Sequence, residues 1–83
     1  MKILHLIRRK GDAYPLQIVE SQKKAGDDVK VVFLQDGVFS CTGDGASACC
    51  TEDADARGVS CGNKVDYKGI IQMIFDADSV VNW

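Results

Sequence analysis

Apolar residues occur along this chain in short runs that alternate with segments of helical periodicity. Lys2–Ile7 is a run rich in residues that favour strands, and Val29–Leu34 is almost continuous in apolar side chains, which is typical of a strand covered on both faces. The segment between them predicts a helix that begins at Asp12 or Ala13. Pro15 falls in its first turn, where the missing N–H has no helical partner to lose. The chain therefore opens as strand, helix, strand.

The second half repeats this alternation with shorter elements. Ala46–Cys50 predicts a third strand of small side chains, and Thr51 is placed to cap a short helix directly after it. Asp66 is placed to cap the clearest helix of the chain, where apolar residues recur at i, i+3, i+4 and i+7. The residues of that predicted buried face are Tyr67, Ile70, Ile71 and Ile74. The tail Ser79–Trp83 predicts a final strand.

This order of elements predicts one α/β domain over residues 1–83. Alternating strands and helices imply parallel strands joined by right-handed crossovers. We expect a small open, mostly parallel sheet of four or five strands with helices on both faces. A domain of 83 residues buries a modest share of its surface, so it is expected either to be marginally stable or to associate with partner subunits.

Composition and charge exclude several classes of function. The net charge of −2 leaves no basic face for phosphates, so no direct nucleic-acid partner is expected. No apolar run approaches the roughly 18 residues of a membrane span. The N-terminus reads as a strand and not as a signal peptide, because its apolar run is brief and precedes the basic residues. The sequence therefore predicts a cytoplasmic protein without a membrane partner.

Four cysteines, at positions 41, 49, 50 and 61, are the main candidates for chemistry. Their even number suggests disulfides, but nothing in the sequence is secretory, so reduced thiols are expected. No C-x-x-C pair is present, and the one histidine, His5, lies inside the first strand. The usual zinc spacings are therefore missing, and no metal or cofactor is expected.

Cys50 is the strongest of these candidates. A thiol at the end of a strand, facing the start of a helix, lies where α/β proteins place their chemistry and where the helix favours a thiolate. The carboxylates of Glu52, Asp53 and Asp55 oppose that effect. The alternative is a buried cysteine that only packs, and the sequence leaves both open. Cys61, in a Gly-flanked loop, is either a resolving thiol for Cys50 or an incidental cysteine.

Other residues have a structural interpretation. His5 is expected in the core or in an interface. Asp36 is placed to cap the next helix, and Gly37 to allow a tight turn there. Trp83 is expected to anchor a subunit interface, where tryptophan is enriched. The alternative for Trp83 is that it covers the edge of the sheet.

Four segments resemble a known family. A Leu-Gln-Asp-Gly-Val element followed some twenty residues later by Ala-Arg-Gly is fairly specific to one branch of it. The segments are Lys2–Leu6, Val32–Val38, Glu52–Val59 and the terminal Trp83. They resemble the DsrE/DsrF/DsrH-like sulfur-relay proteins, within them the DsrH/TusB branch, and the likeness covers nearly the whole chain.

The resemblance implies a compact α/β subunit that transfers sulfur as a cysteine persulfide, or supports that transfer, and is not a turnover enzyme. The relay feeds tRNA wobble-uridine thiolation or sulfur oxidation. The implied partners are DsrE/DsrF- or TusC/TusD-like subunits, further copies of the chain, and a sulfur donor protein. Cys50 matches the sulfur-accepting position of DsrE/TusD-type relatives, whereas DsrH/TusB-type members usually have an aliphatic residue there. The alternative is a structural subunit without its own sulfur-carrying cysteine.

Overall fold

Five short strands and three helices form the fold in the computed structural model, which describes residues 1–40, 47–60 and 62–83. The strands are β1 (Lys2–Ile7), β2 (Asp28–Phe33), β3 (Ser47–Cys50), β4 (Lys64–Val65) and β5 (Ser79–Asn82). The helices are α1 (Tyr14–Lys24), α2 (Thr51–Ala56) and α3 (Tyr67–Asp76), and a 3-10 helix spans Gln35–Ser40. Each predicted strand and helix is present within a few residues of its expected bounds.

All the strands pair in parallel, in the spatial order β4-β3-β2-β1-β5. The chain steps from β1 to β4 in one direction and then returns across the sheet to β5. Right-handed crossovers therefore place α1, the 3-10 helix and α2 on one face and α3 on the other. This confirms the predicted fold class, a small parallel α/β sheet with helices on both faces.

The core is divided by the sheet into two layers. Alternate residues of β1 point to opposite faces, as the pleat of a strand requires. The larger layer lies under α1, the 3-10 helix and α2, and its buried residues are Ile3, Ile7, Val19, Val29, Val31, Phe33, Val38, Cys49 and Ala54. The smaller layer lies under α3, and its buried residues are Leu4, Leu6, Val32, Cys50 and Ile70.

The prediction of the buried face of α3 is wrong for most of its residues, because they are exposed. Asp66 caps the helix as expected, since its Oδ1 accepts a hydrogen bond from the Gly69 N–H at 2.8 Å. Of the predicted face, however, only Ile70 is buried, whereas Tyr67 is 51% exposed and Ile71 is 54% exposed. The physical reason is that α3 lies by itself on its face of the sheet. A single helix buries one narrow stripe, and no neighbouring helix of the described chain covers its flank.

Gly37 brings the 3-10 helix against the end of β1. Its N–H donates to the Arg8 carbonyl oxygen at 3.1 Å, and a β-carbon at this position would overlap the Ile7 carbonyl oxygen. The predicted tight turn is present, since the Gly37 N–H also donates to the Leu34 carbonyl oxygen at 2.8 Å, but the backbone angle φ of Gly37 is not positive. Glycine is needed here for close approach of two backbones. Asp36 lies within the first turn of the 3-10 helix and not at the cap position before it, and its side chain forms an ion pair with Arg57.

His5 is fully buried and hydrogen-bonded through both ring nitrogens. Its Nδ1 lies 2.9 Å from Trp83 Nε1, and its Nε2 lies 2.6 Å from Gln22 Oε1. Because an indole N–H only donates, Nδ1 must accept, and Nε2 carries the proton and donates to Gln22. The rings of His5 and Trp83 are stacked, and Tyr14 packs edge-on against Trp83. The structure thus favours the alternative for Trp83, in which the ring covers the sheet of its own chain.

Replacing Gln22 by Met tests this buried hydrogen bond. The substitution keeps the length of the side chain but leaves the His5 Nε2–H without its acceptor, so we expect a loss of about 1–3 kcal/mol in the free energy of unfolding. Urea unfolding measures it. Gln17→Met is the matched control, since Gln17 is exposed on the same helix, and it should change stability by less than about 0.5 kcal/mol. Equal losses in the two variants would contradict the assignment.

Replacing Gly37 by Ala tests the close approach of the 3-10 helix to β1. The added methyl group meets the Ile7 backbone, so we expect a loss of about 2 kcal/mol or more in the free energy of unfolding. Gly62→Ala is the control, because a β-carbon at Gly62 meets nothing within 4 Å and its φ is not positive. Chemical denaturation of both variants that gave the same midpoint would show that Gly37 is not needed for packing.

Candidate functional site

Cys50 is the last residue of β3 and the residue that precedes α2. Its backbone is still extended, with φ −63° and ψ 121°, and it pairs in register with Val65 of β4. The helix therefore starts at Thr51, and Cys50 occupies the cap position that the sequence assigned to Thr51. No side-chain hydrogen bond caps this helix. The Cys50 side chain is 0% exposed and lies in the smaller core layer, beneath α3.

Polar residues from three neighbouring strand ends meet beside Cys50. The thiol donates to Glu52 Oε1, with 3.6 Å between sulfur and oxygen. Asp53 lies one residue further along α2. Gln35 follows the end of β2, and Tyr67 follows the end of β4. Because β2, β3 and β4 are parallel neighbours, their carboxyl ends deliver these residues to the same edge of the sheet.

The Asp53 carboxylate joins these elements. Its Oδ2 accepts the Gln35 backbone N–H at 2.8 Å, and its Oδ1 accepts the Tyr67 hydroxyl at 3.0 Å. Its side chain is 13% exposed, so it is shielded from most of the solvent. The position of Asp53 is thus fixed from the end of β2 and from the start of α3.

Arg57 contacts both Asp36 and Asp53. Its Nε lies 3.2 Å from Asp36 Oδ1, and one of its terminal nitrogens donates to the Asp53 carbonyl oxygen at 3.3 Å. The same nitrogen lies 3.9 Å from Asp53 Oδ1. Arg57 therefore links the 3-10 helix to α2, and Asp36 serves as its partner.

These contacts shift the acidity of the groups involved. Burial raises the pKa of the Cys50 thiol; the N–H of Asp53 lowers it, but the charge of the Asp53 carboxylate raises it further. Burial alone would raise the pKa of Asp53, yet the Gln35 N–H and the Tyr67 hydroxyl together hold it below its ordinary value. The hydrogen bond to Asp53 raises the pKa of Tyr67 to about 12. At neutral pH the site therefore contains a protonated thiol and an ionised Asp53.

The expectation that the start of the helix favours a thiolate at Cys50 is not met in this geometry. The N–H groups of Glu52 and Asp53 do lower the pKa of the thiol, as predicted. Burial raises the pKa of the thiol by more than these N–H groups lower it, and the charge of the Asp53 carboxylate raises it further. Reactive thiols are partly exposed and have lowered pKa values, whereas Cys50 at rest has neither property.

Cys49 and Cys50 lie on opposite faces of the sheet, as the alternation of a strand predicts. Cys49 is disulfide-bonded, so the expectation of reduced thiols is wrong for this residue. That expectation came from the absence of secretory signals, which says nothing about which sulfur atoms lie close together. A disulfide is uncommon in a reducing cytoplasm, and the predicted compartment remains a prediction.

Cys50 is the free cysteine of the described residues. It is therefore not paired with its neighbour Cys49. Cys61, predicted as a resolving thiol, and Cys41 lie outside the described residues. The role of Cys61 remains a prediction.

Sequence reasoning missed Asp53 and Tyr67 as members of the site. Asp53 was considered only as a charge near the thiol, and Tyr67 was assigned to the buried face of α3. A signal for Asp53 was present, since a carboxylate three residues after a strand end in a parallel sheet lies at the functional edge. For Gln35 no signal existed, because its contribution is a backbone N–H.

The described residues contain neither a metal cluster nor a membrane span. Within these ranges, no three His, Cys, Asp or Glu side chains are grouped so that they could hold a metal ion. None of the helices in these ranges has the length and apolar character needed to cross a bilayer.

Comparisons with known proteins support the fold. The structure is similar to the crystal structure of the ychN protein from E. coli, with a TM-score of 0.69 and 14% sequence identity over 100% of both chains. No family model matches the sequence. No curated protein matches it either. At this level of identity the likeness shows a shared fold.

Alkylation by iodoacetamide tests the resting state of Cys50. We expect the folded protein to react about tenfold or more slowly at this residue than the protein in urea, because opening that exposes a core residue costs more than about 1.4 kcal/mol. The rate should rise with pH to a midpoint above 9.0, the ordinary value for a thiol, since its pKa is raised. Peptide mass spectrometry measures the modification. Fast reaction with a midpoint below 9.0 would contradict the geometry.

Proposed function

We propose that this chain is a subunit of a sulfur-relay complex and that Cys50 accepts persulfide sulfur in it. The observation that carries the proposal is a free thiol at the carboxyl edge of a parallel sheet, surrounded by Glu52, Asp53 and Tyr67. The position of Cys50 before the Arg-Gly-Val segment matches the sulfur-accepting position of DsrE/TusD-type proteins. The fold shared with the ychN protein is consistent with this assignment.

The transfer needs no oxidant or reductant. Cys50 loses its proton, and the thiolate attacks the outer sulfur atom of a persulfide on the donor protein. A sulfur–sulfur bond forms at Cys50 Sγ while the corresponding bond in the donor breaks. The donor sulfur leaves as a thiolate and takes up one proton. Glu52, which accepts the hydrogen bond of the thiol, lies where that proton departs.

The donor reaches the thiol from the side of Glu52 and Tyr67 in this proposal. Both of these side chains are exposed, whereas the Asp53 side chain is 13% exposed and the layer under α3 that contains Cys50 is apolar core. Since the thiol itself is 0% exposed, loading requires a displacement at this polar side. We propose that a partner subunit or the sulfur donor causes it, which makes the isolated chain slow to load.

The partners belong to the proposal as well. They are DsrE/DsrF- or TusC/TusD-like subunits or further copies of this chain, together with a sulfur donor protein. The product is sulfur for tRNA wobble-uridine thiolation or for intracellular sulfur oxidation.

A second candidate function is a structural subunit whose partner carries the sulfur. The observation that favours it is the burial of Cys50, which raises the pKa of the thiol. Structural cysteines in apolar surroundings are typically inert. Under this alternative, Cys50 contributes to packing beneath α3 and no sulfur is attached to it.

Intact-mass spectrometry after anaerobic incubation with a persulfide donor separates the two functions. The first predicts a gain of one sulfur atom, located on the Cys50 peptide, which Cys50→Ser abolishes. Cys61→Ser tests the predicted resolving thiol, and it should still gain one sulfur atom on the Cys50 peptide, since Cys50 is the acceptor. No gain in the wild type, together with normal complex assembly by Cys50→Ser, would overturn the carrier role and favour the structural subunit.

A further inference from the structure

We propose that Asp53 is a positioning residue that keeps the Cys50 thiol protonated at rest, and that the Tyr67 hydroxyl reduces this effect of the Asp53 charge. The inference deepens the proposed function, on which it rests for the meaning of the thiol. It assigns regulation of the site to one carboxylate and one hydroxyl, neither of which would form a covalent bond to sulfur.

The first argument is that Asp53 is fixed from outside its own helix. The Gln35 N–H and the Tyr67 hydroxyl bind its two oxygen atoms at 2.8 and 3.0 Å, and its side chain is 13% exposed. A carboxylate on a six-residue surface helix would ordinarily rotate freely in solvent. Here both of its oxygen atoms are bound by other elements, so the negative charge that acts on the Cys50 thiol keeps a constant position.

The second argument is the backbone of Gln35. Its φ is 51°, in the left-handed region that residues other than glycine rarely adopt. Strained residues of this kind persist when their surroundings hold them, and they occur preferentially at functional sites. At Gln35 this conformation accompanies the N–H bond to Asp53 Oδ2. The strained backbone of Gln35 therefore lies at the residue whose N–H fixes the Asp53 carboxylate.

The third argument is the environment of the thiol. The core layer that contains Cys50 is otherwise apolar, and its other buried members are Leu4, Leu6, Val32 and Ile70. Among the described residues, the titratable groups at the thiol are Glu52 and Asp53 from α2 and Tyr67 from α3, with Arg57 next to Asp53. In an apolar surrounding a nearby negative charge disfavours a thiolate strongly.

Tyr67 acts in the opposite direction to Asp53. Its hydroxyl donates to the carboxylate and so satisfies part of the negative charge that faces Cys50. Without this hydroxyl, Asp53 becomes a stronger acceptor for the proton of the thiol. Loss of the carboxylate charge and loss of the hydroxyl therefore change the reactivity of Cys50 in opposite directions.

The test compares Asp53→Asn with Tyr67→Phe in the full chain, using the pH profile of iodoacetamide alkylation at Cys50. We expect Asp53→Asn to move the midpoint to lower pH and to react about threefold or more faster at pH 8. Tyr67→Phe should react more slowly than the wild type at the same pH. Asp55→Asn is the matched control, since Asp55 lies on the same helix and pairs with Lys64 at the surface, and its profile should not move.

A purely structural role predicts a different result. Both variants would then loosen the cover of Cys50 and react faster together, and this outcome would overturn the proposal. An unchanged profile in Asp53→Asn would also overturn it. Circular dichroism and urea unfolding check that each variant is folded, and Tyr67→Phe keeps the test decisive if Asp53→Asn does not fold.

The same variants separate this inference from the proposed function. If the alkylation profiles shift as expected but the wild type takes up no sulfur from a persulfide donor, Asp53 positions the thiol and the carrier role fails. If sulfur loads on Cys50 and the profiles do not shift, the carrier role stands and the inference about Asp53 fails.

Discussion

The right-handed crossover of parallel strands determines the rest of this structure. The chain steps from β1 to β4 along the sheet and returns to β5, so three helical segments share one face and α3 takes the other. The carboxyl ends of β2, β3 and β4 consequently lie side by side. Gln35 follows β2, Cys50 ends β3 with Asp53 three residues later, and Tyr67 follows β4, so each strand end supplies a member of the site. The order of the parallel strands therefore brings the residues of the site together at one edge of the sheet.

Within that arrangement, burial and charge act on Cys50 in the same direction. The thiol lies under α3 among apolar side chains, and the fixed carboxylate of Asp53 stands beside it. Both raise the pKa of Cys50, so the isolated chain keeps its one described free thiol protonated. Such a state suits a carrier that stays inactive until a partner displaces the exposed side chains of Glu52 and Tyr67 beside the thiol. It equally suits a residue that only packs, and the two functions differ in whether sulfur is found on Cys50.

The sequence allowed the strands, the helices, the Asp66 cap and the opposite facing of Cys49 and Cys50 to be predicted, because these depend on local spacing. It did not allow prediction of which face of α3 is buried, since periodicity does not reveal that no other helix of the described residues lies on the same face of the sheet. The disulfide of Cys49 and the contacts of Asp53 depend on chain segments brought together by the fold. The need for glycine at position 37 likewise comes from a distant backbone, that of Ile7.

The most direct test of the central claim is a titration of Asp53 by carbon-13 NMR of its carboxyl group in the folded protein. If the Gln35 N–H and the Tyr67 hydroxyl hold this carboxylate ionised beside the thiol, its midpoint lies below the ordinary value of 3.8. At pH 3.8 the carboxyl group should then be more than half ionised. A midpoint at or above 3.8 would show that these contacts do not fix the charge of Asp53, and the account of the site would be contradicted.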